Sequence, residues 1–549
     1  MTSKRLLLLA LVSGLLVTSA VAVPRQSARA QTSDEDLVAL ACSVPHEYLV
    51  RTWRGWRPDR GAQLSYIPLE PNFVGSGLPH VGPWDYVEDV PMLWYGPGFV
   101  PAGKSVERPV TVAGIAPTVA KLMHFDGFEA IDGQPMNEAI KPTNEKPKLV
   151  VTLVWDAGGM NVLDEWSDAH PYLDSLIAKG TWYQDASVGS SPTSTAQIHA
   201  TIGTGAFPNH SGITGHHLII GDRLTNPWNE GPAFLIEPTL ADVYDRAMGN
   251  EPVVGIVGTV DIHFGMLGHG SFFSGGDRDI ALTRSVVDGE TLTDEGFEWN
   301  LPPREAGYYK LPAYANDVPG FEEDVRRVDQ ADGKLDGLWR DNSIDQLLKG
   351  FDTPARTPYQ ERVVETVIQN EGFGKDDVTD LLFLNFKEID YVSHVWSMNS
   401  LEMRDAVVAQ DLALKQFVSF LNAEVGKNAW VLVLTADHGA MPDPAVSGGF
   451  QINTPPIEAG INGRFDTDED DTPVVDLVQP SQVFLNEDEL EQNGFTVGDV
   501  ARYVMTLTQA QTTAPNQAVD PTTANDTVFQ AAFPSALMQE LPCLPEAAG

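Results

Sequence analysis

Residues 149–155 read LVVTLVW and are followed directly by the turn residues DAGG. A continuous apolar run rich in β-branched residues is typical of a strand buried on both faces, as in a parallel sheet. Three similar runs follow, at residues 252–257, 381–386 and 430–435. Stretches with helical spacing lie among them, at residues 359–370 and 401–425. This alternation predicts an α/β fold with a mostly parallel sheet sandwiched by helices.

Composition limits the classes of function. The chain has 549 residues, of which 42% are hydrophobic, and its 76 acidic and 35 basic residues give a formal charge of −41. This apolar content excludes a disordered chain, and the charge disfavours nucleic-acid binding through the general surface. A local cationic site such as a metal centre stays possible. The two cysteines, Cys42 and Cys543, are too few for a thiolate zinc site, and the sequence leaves their pairing open.

The first thirty residues carry a targeting pattern. Lys4 and Arg5 precede an apolar stretch at residues 6–23, and small-residue cleavage patterns follow at residues 20–22 and 28–30. We therefore predict a secretory signal peptide over residues 1–30 and a secreted or periplasmic location. An uncleaved membrane anchor is the alternative. No second segment is apolar enough to span a membrane, so no membrane contact is expected after cleavage.

The remaining chain divides into a predicted α/β domain at residues 31–440 and a C-terminal extension at residues 441–549. Within the domain, residues 285–358 are rich in Gly, Pro, Asp and aromatic residues, which indicates an insertion or cap. The extension contains an acidic run at residues 466–471. This run resembles a calcium loop weakly, but it lacks the glycine and the closing glutamate, so a solvated loop is the favoured interpretation.

Acidic and imidazole side chains follow three of the predicted strands. Asp156 ends the first, Asp390 and His394 follow the run at 381–386, and Asp437 and His438 follow the run at 430–435. Functional groups of α/β sheets collect at the carboxyl ends of the strands, and an i,i+4 pair faces one side of a helix. A lone histidine would more often be structural, but this set is typical of a hydrolytic zinc site.

A hydroxyl-rich segment provides a candidate nucleophile. Residues 191–199 read SPTSTAQIH, the pattern of a loop that enters a helix. A helix N-terminus offers free N–H groups to an anion, and a zinc-bound hydroxyl there ionises near neutral pH and can attack phosphorus. The alternative interpretation of these hydroxyls is a helix-capping cluster.

These motifs resemble the alkaline phosphatase superfamily over about residues 48–440, and most closely its single-Thr alkaline phosphatases and nucleotide pyrophosphatase/phosphodiesterases. Asp390 and His394 match its "DYxGH" element, with Ser393 in place of glycine, and the "DHG" element follows at residues 437–439. The resemblance implies that Thr195 is the nucleophile. It also implies two zinc ions, one held by Asp156, Thr195, Asp437 and His438 and the other by Asp390, His394 and a second histidine.

The second histidine of the family normally lies after the "DHG" element, but this chain has no histidine beyond His438. The family's closing segment is instead similar to residues 78–98, which contain LPHVG and VPMLWYGPG. We therefore predict a circular permutation that places this segment at residues 48–140 and makes His80 the missing ligand. Chain ends that lie close together tolerate such a rearrangement. The alternative is a structural His80 and a weak or absent second metal.

Two departures from the family pattern bear on the substrate. His216 lies at or near the position of a phosphate-binding asparagine, so we predict that it binds substrate. Single-Thr alkaline phosphatases also carry a Lys-x-Arg pair after the third strand, whereas residues 258–263 contain no Lys or Arg and place Asp261 there. An acid at this position repels a dianion, which favours a diester.

The sequence therefore predicts a secreted, zinc-dependent hydrolase of small phosphate esters, similar to phosphodiesterases and nucleotide pyrophosphatases. The alternatives are an alkaline phosphomonoesterase with altered phosphate contacts and a non-catalytic binding protein on a hydrolase scaffold. A sulfatase is disfavoured because no C/S-x-P-x-R motif is present. The sequence does not indicate the oligomeric state.

Overall fold

The computed structural model describes residues 34–283, 298–350, 353–468, 470, 472–515 and 517–548. The predicted signal peptide lies outside these residues. Residues 285–297 of the predicted insertion also lie outside them. Within the described residues, no helix combines the length and the apolar character that a membrane span requires.

Two sheets organise the molecule. In chain order their strands are β1 (Leu64–Pro68), β2 (Met92–Tyr95), β3 (Lys104–Val106), β4 (Leu149–Trp155), β5 (Thr181–Tyr183), β6 (Val254–Val257), β7 (Ile280–Leu282), β8 (Asp380–Phe386), β9 (Trp430–Thr435), β10 (Val475–Gln479), β11 (Gln482–Leu485) and β12 (Phe529–Pro534). Shorter strands, outside these sheets, are Phe73–Val74, Val110–Thr111, Ala186–Ser187, Leu218–Ile220, Arg223–Thr225, Asn229–Pro232, Leu338–Trp339, Asn342–Ser343 and Gln451–Ile452.

The large sheet has the strand order β7-β6-β8-β4-β9-β2-β5-β3. Its central strands β7, β6, β8, β4 and β9 are parallel, and β2 pairs in antiparallel fashion with both β9 and β5. The predicted mostly parallel sheet is therefore confirmed. The segment for which we predict a permuted origin supplies β2 and β3, two of the three strands that lie beyond β9 in this sheet.

The helices longer than five residues lie around the sheets. They are α1 (Glu35–Ala41), α2 (His46–Arg54), α3 (Ile115–Leu122), α4 (Met160–Glu165), α5 (Pro171–Ile177), α6 (Thr195–Thr204), α7 (Leu240–Ala247), α8 (Phe321–Asp329), α9 (Ile344–Gly350), α10 (Arg356–Glu371), α11 (Glu388–Trp396), α12 (Leu401–Leu421), α13 (Thr454–Phe465), α14 (Glu487–Gln492) and α15 (Val497–Val504). Four-residue helices occur at Asp85–Glu88, Pro208–Ser211, Pro444–Ser447 and Gln509–Thr512.

Alternation along the strands creates two cores, one on each face of the large sheet. Val150 and Val154 of β4 pack with α3, α6 and α7 on one face. Val151 and Leu153 of the same strand pack with α10 and α12 on the other face. Because β4 is fully buried on both faces, its sequence is a continuous apolar run rather than an alternating one.

The second sheet is antiparallel, with the order β10-β11-β1-β12. It joins β1, from the predicted 31–440 domain, with three strands of the predicted C-terminal extension. A disulfide between Cys42 and Cys543, whose Cα atoms are 5.7 Å apart, fastens the start of the described chain to its end. The pairing that the sequence left open is therefore present.

The described part of the predicted insertion packs against the large sheet's second core. Trp299, Ala315, Trp339 and Ile344 are buried there. Arg304 of the same segment lies 2.5 Å from Asp261, so the structure brings a cation to the acidic position that the sequence singled out.

Candidate metal centre and nucleophile

The predicted site residues meet at the carboxyl edge of the large sheet. Asp156 follows β4, and Asp437 and His438 follow β9, which is its neighbour. All three side chains are fully buried. Asp390 lies on α11, which begins directly after β8 on the other side of β4. The strand order thus explains why three separate sequence motifs form one site.

One group of donors surrounds Asp390. The Nε2 atoms of His80 and His394 both lie 3.3 Å from Asp390 Oδ1. The i,i+4 spacing on α11 brings His394 over Asp390, as predicted. His80 comes from the front segment of the chain, and its position beside these two residues is the one expected for the missing histidine ligand.

A second group surrounds Asp437. His438 Nε2 lies 3.3 Å from Asp437 Oδ2 and 3.7 Å from Asp156 Oδ1. The rings of His80 and His438 stack with their centroids 3.5 Å apart, so the two groups of donors adjoin each other.

Backbone carbonyls orient the three imidazoles. The Nδ1–H groups donate to carbonyl oxygens, from His80 to Thr193 at 2.9 Å, from His394 to Gly77 at 2.5 Å, and from His438 to Gly439 at 3.0 Å. In the neutral form of each imidazole, this arrangement leaves Nε2 as a lone-pair donor that faces the carboxylates. Carbonyl partners of this kind fix the tautomer and the ring orientation of metal-binding histidines.

Orphaned polar atoms provide a test of whether a metal fits. Asp390 Oδ1, Asp437 Oδ2 and His438 Nε2 are buried without a hydrogen-bond partner in the part of the chain that the structure describes. Two sets of donor atoms, His80/Asp390/His438 and Asp156/Asp437/His438, each lie within 4.8 Å of one another. Buried polar atoms normally have partners, and carboxylate and imidazole donors suit zinc and similar divalent ions. The residues therefore fit a metal centre.

Thr195 begins α6, and Ser194 is the N-cap of that helix. The Thr195 side chain is 3% exposed and lines the same pocket as His80, Asp390 and His394. Its hydroxyl is therefore close to the donor groups and still reachable through the pocket. The capping alternative does not apply to Ser194, because its hydroxyl donates to Gln197 Oε1 and makes no N-cap hydrogen bond.

Lys387, which the sequence analysis missed, lies at the centre of the site. Its Nζ is 2.8 Å from Asp156 Oδ1, 2.8 Å from Asp390 Oδ2 and 3.2 Å from Thr195 Oγ1. Burial opposes its charge, but Asp156 and Asp390 raise the pKa of Lys387 above its ordinary value. Burial likewise opposes ionisation of Asp390, but Lys387 holds the pKa of that carboxyl well below its ordinary value.

The two stacked histidines differ in basicity. Burial lowers the pKa of His80 to about 4, with a further contribution from neighbouring His438. Burial also disfavours the His438 cation, but the Asp437 carboxylate raises the pKa of His438 to about 9. In the absence of a metal, His438 therefore carries the proton of this pair near neutral pH.

Three further residues that the sequence analysis missed support Asp156. Asn385 Nδ2 donates to Asp156 Oδ2 at 2.9 Å and lies 2.9 Å from His199 Nε2. His199 Nδ1–H donates to the Thr195 carbonyl at 2.8 Å. His263 Nδ1 accepts the Thr259 N–H at 3.1 Å, which leaves its Nε2 at 3.4 Å from Asp156 Oδ2. The i,i+4 spacing of Thr195 and His199 was the available signal for part of this network.

A pocket of about 350 Å³ opens beside Thr195. His216 lines it, as its predicted substrate-binding role requires. The C-terminal extension also contributes to its lining, through Pro480, Ser481 and Phe484, which belong to or follow the β10–β11 turn. All eight sequence-predicted site residues therefore lie in or directly beneath one pocket.

The sequence profile of the type I phosphodiesterase / nucleotide pyrophosphatase family matches residues 150–537, more than half of the chain. The chain belongs to this family. The family is part of the alkaline phosphatase superfamily of metal-dependent phosphoric ester hydrolases, so the predicted superfamily is confirmed. His80 precedes the matched range, and the circular permutation stays a prediction.

Several relatives are similar to this phosphodiesterase-family chain. A protein named calcium-transporting ATPase from Myroides odoratus is 25% identical over 400 residues, covering 64% of this chain and 71% of that protein. Alkaline phosphatase PafA from Elizabethkingia meningoseptica is 29% identical over 162 residues, covering 28% and 29%. Alkaline phosphatase PhoV from Synechococcus elongatus is 23% identical over 355 residues, covering 57% and 62%. The matches thus span less than two thirds of the two alkaline phosphatases.

The crystal structure of wild-type PafA is similar in fold. It superimposes with a TM-score of 0.50 at 19% sequence identity, covering 71% of this chain and 85% of that chain. This likeness supports the α/β architecture that the sequence predicted.

Proposed function

We propose that this protein is a secreted, zinc-dependent phosphodiesterase that acts through a covalent phospho-threonine at Thr195. The observation that carries the proposal is the convergence of seven predicted residues at one sheet edge, with three imidazole Nε2 atoms aimed at the carboxylates and Thr195 beside them. In this proposal Asp156, Thr195, Asp437 and His438 hold one ion, and Asp390, His394 and His80 hold the other. The bound ions would polarise the phosphoryl group and favour an ionised hydroxyl.

The chain's own residues position the substrate. The Thr195 oxygen attacks phosphorus, so that the Thr195–phosphorus bond forms while the bond to the leaving oxygen breaks. The leaving oxygen then takes a proton from water. The N-terminal N–H groups of α6 face the phosphoryl oxygens, and His216 donates to one of them. A water molecule later attacks phosphorus, which releases the monoester product and restores the Thr195 hydroxyl.

Two features favour a diester substrate over a monoester. Of the described residues that line the pocket, Lys387 is the one Lys or Arg, which suits a singly charged phosphoryl group better than a dianion. The pocket lining also includes Ile262, Tyr391 and Phe484, whose apolar surface suits an organic substituent. An alkaline phosphomonoesterase is the second candidate, because the similar proteins PafA and PhoV are named alkaline phosphatases.

The predicted export has independent support. The disulfide between Cys42 and Cys543 is of a kind that persists in oxidising compartments, which agrees with the targeting pattern at residues 1–30.

The proposal is tested by rates on bis-p-nitrophenyl phosphate and p-nitrophenyl phosphate, measured on purified protein before and after chelation and after adding back Zn²⁺, Mn²⁺ or Mg²⁺. We expect faster turnover of the diester, its loss on chelation, and recovery with Zn²⁺. Faster turnover of the monoester would favour the second candidate. No turnover of either ester by the zinc-loaded protein would favour a non-catalytic scaffold.

A further inference from the structure

We propose that Lys387 is a further catalytic residue, which donates to the Thr195 oxygen through a permanently placed ammonium group. This inference rests on the proposed function, because it concerns the oxygen that attacks phosphorus there. Neither the sequence motifs nor the predicted ligand set includes this lysine.

The position of Lys387 is set by the backbone rather than by a flexible surface chain. It is the residue after β8 and the N-cap residue of α11, so it lies at the same sheet edge as the predicted ligands. The residue is 8% exposed and lines the pocket beside Thr195. A lysine normally loses much rotamer freedom on such burial, so a specific interaction must hold it there.

The three donors of the ammonium have three acceptors. Two of them are carboxylates, Asp156 Oδ1 and Asp390 Oδ2, each 2.8 Å from Nζ, and they come from different predicted metal groups. The third acceptor is Thr195 Oγ1 at 3.2 Å. Because an ammonium group has three N–H donors, the two carboxylates fix its position and the remaining N–H points at the nucleophile.

This geometry supports both halves of the proposed reaction. When Thr195 attacks, its oxygen carries partial negative charge before the bond to phosphorus is complete. When water later displaces the threonine, the same oxygen departs from phosphorus and becomes negative again. A fixed ammonium that donates to this atom stabilises the developing charge in each transition state without having to move. Lys387 gives up no proton in this scheme.

Lys387 also compensates for a charge that the family pattern would place elsewhere. No Lys or Arg occurs at residues 258–263, and Asp261 pairs instead with Arg304. Of the described residues that line the pocket, the one Lys or Arg is therefore on the β8 side rather than on the β6 side.

The test compares the full-length zinc-loaded wild type with Lys387→Met, which keeps the length of the side chain but removes its charge. We expect kcat for bis-p-nitrophenyl phosphate to fall about 10²–10³-fold, with KM and bound zinc little changed. The matched control is Lys375→Met, near the opposite end of β8, where the lysine is half exposed and pairs with Glu424. This control should keep the wild-type kcat.

The metal-free proteins provide a readout other than activity. Without metal, Lys387→Met leaves the buried carboxylates of Asp156 and Asp390 with no ammonium between them. The Tm difference between wild type and Lys387→Met should therefore be larger for the metal-free proteins than for the zinc-loaded proteins. Equal Tm differences with and without zinc would contradict the placement of the ammonium between these carboxylates.

If Lys387→Met does not fold, a second variant tests the same role of Lys387. Both natural cysteines are in the disulfide, so Lys387→Cys introduces a unique thiol, which 2-bromoethylamine converts to a thioether analogue of lysine. Activity that is low before alkylation and restored after it supports the proposal. No gain from complete alkylation would overturn it.

The outcomes separate this inference from the proposed function. An active wild type together with a Lys387→Met protein of equal kcat overturns the role of Lys387 alone. A loss of zinc that explains the whole loss of activity also overturns it, because the lysine would then act only in metal binding. A zinc-loaded wild type that hydrolyses neither nitrophenyl ester overturns both proposals.

Discussion

The role of His80 depends on which of its ring nitrogens faces the site. Its Nδ1–H donates to the Thr193 carbonyl at 2.9 Å, and its Nε2 lies 3.3 Å from Asp390. A purely structural histidine would instead satisfy its second nitrogen with a partner outside the two groups of donors. His170 is such a residue, since its two nitrogens lie 3.1 Å from Asp174 Oδ1 and 3.0 Å from the Leu163 carbonyl.

This contrast allows a matched comparison. We predict that His80→Gln lowers the affinity for one of two bound metal ions by about 100-fold or more and lowers activity with it. His170→Gln, which alters a similarly buried histidine outside the site, should keep both ions. Metal content measured by mass spectrometry after gel filtration checks both variants. Two tightly bound ions in His80→Gln would make His80 structural and would remove the main support for the permutation.

Metal uptake should depend on pH through His438. In the metal-free protein the pKa of His438 is raised to about 9, above its ordinary value, so the imidazole is protonated at lower pH. A protonated imidazole cannot bind a metal, so the apparent affinity for Zn²⁺ should rise with pH and level off above about pH 9. His80, whose pKa is lowered to about 4, contributes no such dependence near neutral pH.

Calorimetric titration with Zn²⁺ in two buffers of different protonation enthalpy measures the protons released. We expect proton release near neutral pH that disappears above the pKa of His438. An affinity for Zn²⁺ that does not change between neutral pH and about pH 9 would contradict this account.

At the scale of elements, the central strands could be predicted from the sequence. The residues that surround the predicted ligands, such as Lys387, His199 and His263, could not. The runs at 149–155 and 430–435 are strands β4 and β9 with the predicted bounds, because a strand buried on both faces must be apolar throughout. The helix predicted at 401–425 ends earlier, at Leu421, where a π-helical turn begins. The motifs that contain Asp156 and the Asp437–His438 pair were visible because each follows the end of a strand closely.

The missed residues belong to no recognisable motif. Lys387 follows β8 as directly as the predicted acids follow their strands, but a single lysine has no motif, and its meaning depends on Asp156 from another strand. His199 and His263 come from α6 and from the segment after β6, and their rings stack 4.7 Å apart only in the folded chain. The sequence therefore predicts residues that belong to a recognisable motif and misses those that only the tertiary contacts reveal.

The β10–β11 hairpin should influence which leaving group the pocket accepts. Its turn places Ser481 in the pocket wall, whereas Asp476 of β10 is exposed on the same hairpin and does not line the pocket. We predict that Ser481→Trp raises KM for bis-p-nitrophenyl phosphate about tenfold and raises KM for methyl p-nitrophenyl phosphate less. Asp476→Trp should change neither value. Equal KM changes for both esters in Ser481→Trp would mean that the hairpin does not contact the substituent.

At the scale of the whole molecule, the two ends of the described chain are held together. Cys42 and Cys543 are bonded across a sequence separation of 501 residues. Arg502 adds ion pairs with Asp34 at 3.1 Å and with Asp36 at 2.7 Å. Ends that meet in this way are the structural condition under which a circular permutation is tolerated.

The disulfide should stabilise the fold without affecting the chemistry. Replacing both cysteines by serine should lower the free energy of unfolding by about 2–4 kcal/mol, because the bond restricts a very long loop in the unfolded chain. Urea unfolding of the double variant and of the wild type checks this value, and kcat at low temperature should be the same for both. Equal unfolding midpoints would show that the Arg502 ion pairs and the second sheet suffice to hold the two ends.

The central claim is that Thr195 becomes covalently bonded to phosphorus during turnover. Its most direct test is mass spectrometry of zinc-loaded protein that is mixed with bis-p-nitrophenyl phosphate, quenched in acid and digested. We predict a mass increase equal to the transferred phosphoryl group on the peptide that contains Thr195, and neither adduct nor turnover in a folded, metal-loaded Thr195→Ala variant. Wild-type turnover by Thr195→Ala, or an adduct on a different residue, would contradict the account.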